Sequence, residues 1–448
     1  MNCRKITAII LCVACLLAIP CTASAADYSY VDPVMLTVHA GGNTYAVRGY
    51  NSDYVNNLYL SMTDLAAALK CTSAAFSFEF GSTTNDGEFF SITRISPEES
   101  SDESYTAVED TREAVWLEFK RNRLFYNGGD RKYYTFRDTE NDLYMNLTDI
   151  QLMLDITASL TGENEISFNT NESFCPDVKA LGDEGFFDYI NGIIVGDATT
   201  GEVIYSKDKN AAVPVASTSK LMSYLLIAEA IAAGKIGYDD LVPISLNAEK
   251  LSKSADGIIK LTAGTSIPLS ELLSGMMVAS SNECALALAE YISGSEEKFV
   301  EEMNARAKEM RLSSAVFYNC NGLPVYSESS VSYKKQNIMS AADLFTLSAY
   351  ILKAFPATTD ITKNQYVSMP NLEYTTANSN PLVFNMEGVT GLKTGSTKRA
   401  GQCLVASMPV EKDGAEHNIV LVILGAENAS ERGQMAEMLL KYAVNQLT

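Results

Sequence analysis

The sequence predicts an α+β protein of several domains, in which a mixed sheet flanked by helices, with a helical subdomain, follows a small α+β repeat domain. Three observations lead to this fold class: a length of 448 residues, two similar strand-helix segments within the first 170 residues, and later strands that enclose a long helical stretch. A chain of this length exceeds one ordinary hydrophobic core, so two or three domains are expected.

The first 25 residues have the pattern of a secretory signal peptide. A short positive start precedes the apolar run Ile6 to Ala18, and Ala23-Ser24-Ala25 provides the small residues of a cleavage site. We therefore expect residues 1–25 to be removed and the protein to lie outside the cytoplasm, at the cell wall or cell surface. The uncharged run is also long enough for an uncleaved membrane anchor, which is the alternative.

Two similar segments predict a duplicated module over residues 26–170. Leu58 to Leu65 is echoed by Leu143 to Ile150, and in both a strand pattern runs into Thr-Asp, a good N-cap, and a short apolar helix. An exposed acidic loop, Pro97 to Ser104, is expected between the copies. The module resembles the copper amine oxidase N-terminal-like domain. With one histidine in the region, we expect a structural or wall-facing spacer and no metal site.

Residues 171–186 read as a polar linker, and residues 187–448 are predicted to form one domain. Asp197 to Gly201 is a turn signal between two strands. The remaining patterns give strands Ile190 to Val195 and Glu202 to Tyr205, helices across Ser270 to Phe355, strands Cys403 to Met408 and Ile419 to Gly425, and a final helix Glu431 to Leu447 capped by Ser430.

Composition and charge limit the partners and the chemistry. With 55 acidic and 34 basic residues, the net charge is -21. A protein that binds nucleic acid or an anionic bilayer needs a positive surface, so neither is expected as the main partner. The chain has two histidines, His39 and His417, and no C-x-x-C pair beyond the signal. A Ser-His-Asp triad and the common zinc sites are therefore excluded, and we expect no metal and no cofactor. A hydrolase with this composition would use a lysine or a carboxylate as its base.

Ser217-Thr218-Ser219-Lys220 supplies such a lysine. Pro214 and small residues break the preceding strand, and an apolar helical pattern follows Lys220. Ser217 is therefore predicted at a helix N-terminus, where free N–H groups can hold an oxyanion. Lys220 lies one turn further on, where burial would let it accept the serine proton. Alone the motif is weak, since the same spacing recurs in polar surroundings at Ser206 and Ser332.

Two further motifs follow in order. Ser280-Ser281-Asn282 precedes an apolar helix and taken alone is an N-cap pattern, while Lys393-Thr394-Gly395-Ser396 taken alone is a glycine-rich strand edge. Together the three match the S-x-x-K, S-D-N and K-T-G set of β-lactamases and penicillin-binding proteins.

From Ile190 to its end the chain resembles the D-alanyl-D-alanine carboxypeptidases, the low-molecular-mass penicillin-binding proteins. The resemblance extends to Asn319-Cys320-Asn321-Gly322-Leu323 and to Ala400 to Ala406. It implies a β-lactamase/penicillin-binding-protein-like catalytic domain that acts on peptidoglycan stem peptides ending in D-Ala-D-Ala, with β-lactam antibiotics as covalent inhibitors.

The resemblance also implies a role for each motif residue. Ser217 would form the acyl-enzyme, Lys220 would take its proton, and Ser280 would relay a proton to the departing D-alanine. The substrate-binding residues would be Asn282, Lys393, Thr394, Gly395 and Ser396. Among these, Lys393 and Thr394 would hold the terminal carboxylate. The N–H groups of Ser217 and Ser396 would form the oxyanion hole.

Two alternatives stay open. A serine β-lactamase shares the three motifs, but its Glu-x-x-Leu-Asn string is absent and its second motif usually has aspartate where this chain has Ser281. A non-catalytic wall-binding protein would keep the pocket without turnover. Carboxypeptidases usually have glycine at the position of Ser281, a small difference that we expect to be tolerated.

Overall fold

The structure is a computed structural model that describes residues 28–52, 57–83, 87–97, 115–118, 124–126, 129–131, 133, 135–138, 141–183, 185–327 and 330–447. These residues belong to two compact units, Met1–Phe186 and Phe187–Thr448. The predicted signal peptide and residues 98–104 of the predicted acidic loop lie outside the described residues. Within the described ranges, no helix is both long and apolar enough to cross a membrane.

The described part of the first unit contains two sheets and three short helices. Its strands are β1 (Tyr28–Ala40), β2 (Asn43–Ser52), β3 (Asn57–Ser61), β4 (Phe76–Thr83), β5 (Gly87–Arg94), β6 (Val115–Glu118), β7 (Leu124–Tyr126), β8 (Gly129–Arg131), β9 (Phe136–Arg137), β10 (Leu143–Asn146), β11 (Thr157–Gly162) and β12 (Glu165–Asn169). Its helices are α1 (Met62–Leu69), α2 (Leu147–Leu154) and α3 (Val178–Asp183). The larger sheet has the order β11-β12-β1-β2-β3-β10-β9, with β6 also on β1, and the smaller has the order β4-β5-β7-β8.

The two similar segments pair with each other in the larger sheet. Strands β3 and β10 are antiparallel neighbours, with Leu60 opposite Met145. Each strand leads directly into a helix, as predicted, but the caps differ from the prediction. Ser61 and Asn146 cap α1 and α2, so both Thr-Asp pairs lie inside the first turn. Because these caps are also the last strand residues, the turn from strand to helix needs no loop.

The segment predicted as a linker is not entirely irregular. Helix α3, Val178–Asp183, lies within residues 171–186, and its Val178 and Leu181 side chains are buried. The apolar spacing of these two residues is too short to stand out as a helical pattern in a polar segment.

The second unit is built on a five-stranded sheet. Its strands are β13 (Gly192–Asp197), β14 (Glu202–Lys207), β15 (Val213–Pro214), β16 (Leu241–Pro243), β17 (Ser266–Pro268), β18 (Val325–Ser327), β19 (Ser330–Lys335), β20 (Ile338–Met339), β21 (Tyr366–Met369), β22 (Tyr374–Ala377), β23 (Gly391–Thr397), β24 (Gly401–Lys412) and β25 (Ala415–Ala426). The main sheet has the order β14-β13-β25-β24-β23, and its pairings are all antiparallel, where a mixed sheet was predicted. Although helices separate β14 from β23 in the chain, each strand of the sheet runs antiparallel to its neighbours.

Nine α-helices accompany these strands in the described part of the second unit. They are α4 (Lys220–Ala232), α5 (Leu246–Ser252), α6 (Leu269–Met277), α7 (Asn282–Ser293), α8 (Glu296–Glu309), α9 (Ala341–Ala354), α10 (Thr358–Thr362), α11 (Leu382–Asn385) and α12 (Ala429–Leu447). Helices α9 and α12 pack on β25. The final helix begins two residues before the predicted start, because Asn428 Oδ1 rather than Ser430 accepts from the Glu431 N–H at 2.9 Å.

The core of the second unit forms between the sheet and the helices. Val420 and Val422 of β25 join a buried cluster with Leu225 of α4 and Leu272 of α6. The alternate residues of β25 are equally buried, so both faces of this central strand are covered. Strand β23 is left at one edge of the sheet, and the site is built on that edge.

Candidate active site

Ser217 lies in a 3₁₀ turn, Ala216–Ser219, directly before α4. Ala216 has a left-handed backbone, with φ 48°. The Ser219 hydroxyl donates to the Ala216 carbonyl at 2.8 Å, and the Thr218 hydroxyl donates to the Val215 carbonyl at 2.7 Å. A left-handed non-glycine residue costs about 1–2 kcal/mol and therefore persists only where its surroundings hold it. These hydrogen bonds stabilise the turn in which the half-buried Ser217 lies, directly before α4.

Lys220 is completely buried and is held by three oxygen atoms. Its Nζ lies 2.8 Å from Ser217 Oγ, 2.8 Å from Asn282 Oδ1 and 2.8 Å from the Asn321 carbonyl oxygen. Burial lowers the pKa of Lys220 from its ordinary value to about 7, against the opposing influence of neighbouring acidic groups. At neutral pH a substantial fraction of Lys220 is therefore an uncharged amine in contact with the serine hydroxyl.

The second motif lies across from the turn, at the start of α7. Ser281 is the N-cap, since its hydroxyl accepts from the Cys284 N–H at 3.1 Å. Asn282 is not the cap, so its side-chain Oδ1 can accept from Lys220 Nζ. Its side-chain Nδ2 donates to the Asp256 carbonyl at 2.8 Å. Ser280 is half-buried and has a left-handed backbone, with φ 66°. The cap and the lysine contact thus belong to different residues of the motif.

The third motif occupies the edge strand β23. Lys393 is buried, 1% exposed, and its Nζ donates to the Thr394 carbonyl at 3.0 Å. Burial, together with the charges of Lys220 and Arg432, holds the pKa of Lys393 well below its usual range. The Thr394 hydroxyl donates to Ser379 Oγ at 2.7 Å, and the Ser396 side chain is exposed.

Gly395 brings β23 against the nucleophile turn. A Cβ atom at this position would lie 2.9 Å from the Ser217 nitrogen and 3.0 Å from the Thr218 nitrogen. Only glycine therefore allows the strand to approach the turn this closely. The approach places the Ser217 N–H beside the edge strand that carries Ser396.

Several residues of the site carry no signal of their own in the sequence. The Asn321 backbone carbonyl is a partner of Lys220, and Gly322 has φ +90°, where a Cβ would lie 2.1 Å from the Ala216 carbonyl oxygen. Asn337 is fully buried and donates to Ser219 Oγ at 3.0 Å and to the Asn319 carbonyl at 2.9 Å. Asn319 to Leu323 was singled out by resemblance, whereas Asn337 and Ser379 were missed because an isolated Asn or Ser has no distinctive pattern.

The arrangement is suited to acyl transfer. It joins a serine hydroxyl, a buried amine of lowered pKa and a side-chain amide beside one strand edge, the groups that a serine nucleophile with an amine base requires. His417 is not part of it, since its Nδ1 lies 2.8 Å from Asp197 Oδ2 between β13 and β25. Within the described part of the chain, no three His, Cys, Asp or Glu side chains gather so as to hold a metal ion.

A protein-family match and curated relatives point to the same family of enzymes. Residues 191–428 match a protein family described as D-alanyl-D-alanine carboxypeptidase. The chain is 34% identical over 249 residues to D-alanyl-D-alanine carboxypeptidase DacF of Bacillus subtilis, a match that covers 55% of this chain and 60% of that protein. It is 29% identical over 259 residues to DacD of Escherichia coli, covering 57% and 63%. The chain thus spans less than two thirds of the length of these curated relatives.

Solved structures share the fold of the second unit. A peptidoglycan synthesis regulatory factor (PBP3) from Streptococcus pneumoniae has a TM-score of 0.52 and 30% identity, covering 57% of this chain and 73% of that one. Penicillin binding protein 6B from Escherichia coli has a TM-score of 0.50 and 28% identity, covering 57% and 77%. The predicted fold class, a penicillin-binding-protein-like domain of α+β type, is confirmed.

Proposed function

The chain belongs to the D-alanyl-D-alanine carboxypeptidase family, and on that premise we propose that it is a serine carboxypeptidase acting on peptidoglycan stem peptides. It removes the terminal D-alanine of a D-Ala-D-Ala end through an acyl-enzyme on Ser217. The observation that carries the proposal is the 2.8 Å contact between Ser217 Oγ and the Nζ of the buried Lys220, whose pKa is about 7.

In the acylation step, Lys220 is the general base. Its neutral amine takes the Ser217 hydroxyl proton as Oγ attacks the carbonyl of the penultimate D-alanine. Asn282 Oδ1 and the Asn321 carbonyl accept hydrogen bonds from the same Nζ, which supports this role because they fix the amine against Ser217 and stabilise the ammonium that forms.

The negative charge on the substrate oxygen is held by the N–H groups of Ser217 and Ser396. The proximity of Gly395 to the Ser217 nitrogen supports this assignment, since Ser396 is the next residue on the strand. Such donors are effective because they are already oriented before charge develops.

Departure of D-alanine requires a proton on its nitrogen. We assign the relay to Ser280, supplied by Lys220 or Lys393, because Ser280 precedes Asn282 and its left-handed backbone sets it apart from the helix. Loss of free D-alanine leaves the acyl group on Ser217 Oγ, and water then hydrolyses the ester.

Lys393 and Thr394 are assigned to the terminal carboxylate. In the absence of an anion, burial disfavours the Lys393 ammonium. An arriving carboxylate reverses this preference, because an opposite charge within contact distance raises the pKa of an amine. The Thr394 hydroxyl donates its proton to Ser379 Oγ, and a carboxylate oxygen is a stronger acceptor for that proton. A β-lactam, which carries a carboxylate next to its reactive amide, would bind in the same way.

The first unit is proposed to be an exported spacer. We assign residues 1–25 to a cleaved signal peptide, residues 26–170 to a module similar to the copper amine oxidase N-terminal-like domain, residues 171–186 to the connection, and residues 187–448 to the catalytic domain. An extracytoplasmic position agrees with a peptidoglycan substrate. N-terminal sequencing of the secreted protein should begin at Ala26, and a retained Met1 would show that the segment is an anchor instead.

The function is tested with two reagents. The mature protein is incubated with a D-Ala-D-Ala-ended pentapeptide and, separately, with a labelled penicillin. We expect free D-alanine and a long-lived penicillin adduct. Rapid turnover of penicillin would identify a β-lactamase. An adduct without D-alanine release would leave the non-catalytic wall-binding protein as the remaining explanation.

A further inference from the structure

Asn337 is a fully buried amide that the acyl-transfer steps do not use, and it lies between two parts of the active site. Its Nδ2 donates to Ser219 Oγ at 3.0 Å and to the Asn319 carbonyl at 2.9 Å. Its Oδ1 accepts from the Tyr318 N–H at 2.7 Å. Because backbone N–H groups only donate and carbonyl oxygens only accept, these partners fix the orientation of the amide.

The contact with Ser219 reaches the nucleophile turn, Ala216–Ser219. The Ser219 hydroxyl has one proton, which it donates to the Ala216 carbonyl at 2.8 Å, so the amide of Asn337 is the donor to its oxygen. Ala216 is the left-handed residue directly before Ser217. A strained backbone persists only where its surroundings hold it. Asn337 and Ser219 therefore form a chain of two hydrogen bonds that ends at the residue before the nucleophile.

The main chain of Asn337 holds the start of the same turn. Its carbonyl accepts from the Val215 N–H at 3.1 Å, and the next two residues continue as strand β20, which pairs with β15. The turn is thus bound to the Asn337 segment on both sides of Ser217, through Val215 before it and through Ser219 after it.

The contact with Asn319 reaches the loop that holds the base. Asn319 Oδ1 accepts from the Asn321 N–H at 3.2 Å and from the Gly322 N–H at 2.7 Å. The Asn321 carbonyl is in turn a partner of Lys220 Nζ. Gly322 packs so closely on the turn that a Cβ there would lie 2.8 Å from Ser219 Oγ. One buried amide therefore connects the loop that contacts the base with the nucleophile turn.

We propose that Asn337 is a positioning residue for the reaction at Ser217. Through Ser219 it holds the turn that carries the nucleophile, and through Asn319 it holds the carbonyl that fixes Lys220. It thereby sets the alignment of the serine hydroxyl with its base. This inference rests on the proposed function. Loss of the amide leaves the substrate bound and the reacting groups misaligned, so it lowers the turnover rate more than the binding.

The test is D-alanine release by Asn337→Asp, with kcat and KM measured separately. Aspartate keeps the size of the side chain and an acceptor for the Tyr318 N–H, but it places an oxygen where the Nδ2 had donated. The rate is divided by the fraction of the protein that labelled penicillin modifies at completion, which corrects for misfolded molecules. We expect kcat per reactive site to fall about tenfold or more, because a misplacement of about 1 Å can cost about a hundredfold in rate. KM should stay within about threefold, since Lys393 and Thr394 lie on β23.

Ser219→Ala tests the path to the turn, and it covers the case in which Asn337→Asp does not fold. It removes the oxygen that receives the amide proton and leaves Asn337 in place. We expect kcat per reactive site to fall about fivefold or more. In the double variant the aspartate should lower kcat less than it does alone, because residues in one hydrogen-bond network have non-additive effects. An unchanged kcat in Ser219→Ala, or effects that simply multiply in the double variant, would overturn the proposal.

Asn304→Asp is the matched control. The Asn304 amide also donates to two backbone carbonyls, those of Val300 and Phe317, and its Oδ1 accepts from the Phe317 N–H, but these partners lie outside the nucleophile turn and the 319–322 loop. It should keep the kcat per reactive site of the unmodified protein even where its stability is lowered. An equal kcat for Asn337→Asp and this control would overturn the proposal. If the unmodified protein releases no D-alanine, the proposed function itself fails, and this inference fails with it.

Discussion

Lys220 is the residue whose surroundings decide the chemistry of this site. Three oxygen atoms surround its Nζ at 2.8 Å, and one of them is the serine that it would activate. An exposed lysine with an ordinary pKa near 10.4 would be almost entirely protonated at pH 7 and unable to act as a base. Burial lowers the pKa to about 7, so the same side chain becomes a base without a histidine.

The acylation rate should follow the ionisation of Lys220. Below pH 7 the ammonium form dominates, and the second-order rate of penicillin acylation should fall about tenfold per pH unit. Above pH 7 the rate should reach a plateau. Stopped-flow or quenched labelling between pH 5 and 9 measures this profile. A rate that keeps rising to pH 10 would show that the base has an ordinary lysine pKa.

At the residue scale, the sequence could indicate Ser217, Lys220 and Asn282 because their side-chain types and spacing are distinctive. It could not indicate the Asn321 carbonyl, since every residue has one.

At the scale of elements, the important feature is the approach of β23 to the Ala216–Ser219 turn. The strand supplies the third motif and the turn supplies the nucleophile, and Gly395 is the position where they come closest. Residues of one sheet edge and one helix start therefore share a site although they are far apart in the chain.

Gly395→Ala should disturb this approach. Its Cβ would meet backbone atoms at 2.9–3.0 Å, and these cannot move aside as a flexible side chain could. We expect acylation slowed at least about tenfold and stability lowered by about 1–3 kcal/mol. Penicillin labelling rates and thermal unfolding measure the two effects.

Gly433→Ala is the control for this substitution. Gly433 lies in α12, and a Cβ there meets no atom within 4 Å. Alanine should leave acylation unchanged and stabilise the helix by up to about 1 kcal/mol. Equal acylation rates in both variants would show that the strand and turn are not closely packed.

The elements themselves were largely predictable. Short apolar segments joined by turn signals indicated the β13–β14 and β24–β25 pairs, which form hairpins in the structure. Helix starts were less predictable, because Ser61, Asn146 and Asn428 compete as caps with nearby Thr, Asp or Ser residues of similar propensity. For α1 and α2 the cap is the last residue of the preceding strand, a placement that local propensity alone does not predict.

At the scale of the whole molecule, the chain consists of two compact units divided at Phe186 and Phe187. The α+β class of the second unit follows from the order of its elements, and its penicillin-binding-protein-like fold was implied by the resemblance that the three motifs carry. The sheet order of the first unit does not follow in this way, since β1 pairs with β12 in parallel across most of that unit. Long-range pairing of this kind is set by packing and leaves little local pattern.

Residues 187–448 expressed alone should fold and react. Every residue of the site and the whole five-stranded sheet lie in this part of the chain. We expect a cooperative thermal transition and a penicillin acylation rate within about twofold of that of residues 26–448. An unfolded product, or a rate lowered more than tenfold, would mean that the first unit is required for the site.

The most direct test of the central claim is the location of the penicillin adduct. The protein is reacted with penicillin, digested, and the modified peptide is identified by mass spectrometry. The adduct should lie on Ser217 and be absent from Ser217→Ala, with Ser219 and Ser280 unmodified in both proteins. An adduct on another residue, or one that persists in Ser217→Ala, would contradict a Ser217 nucleophile activated by Lys220.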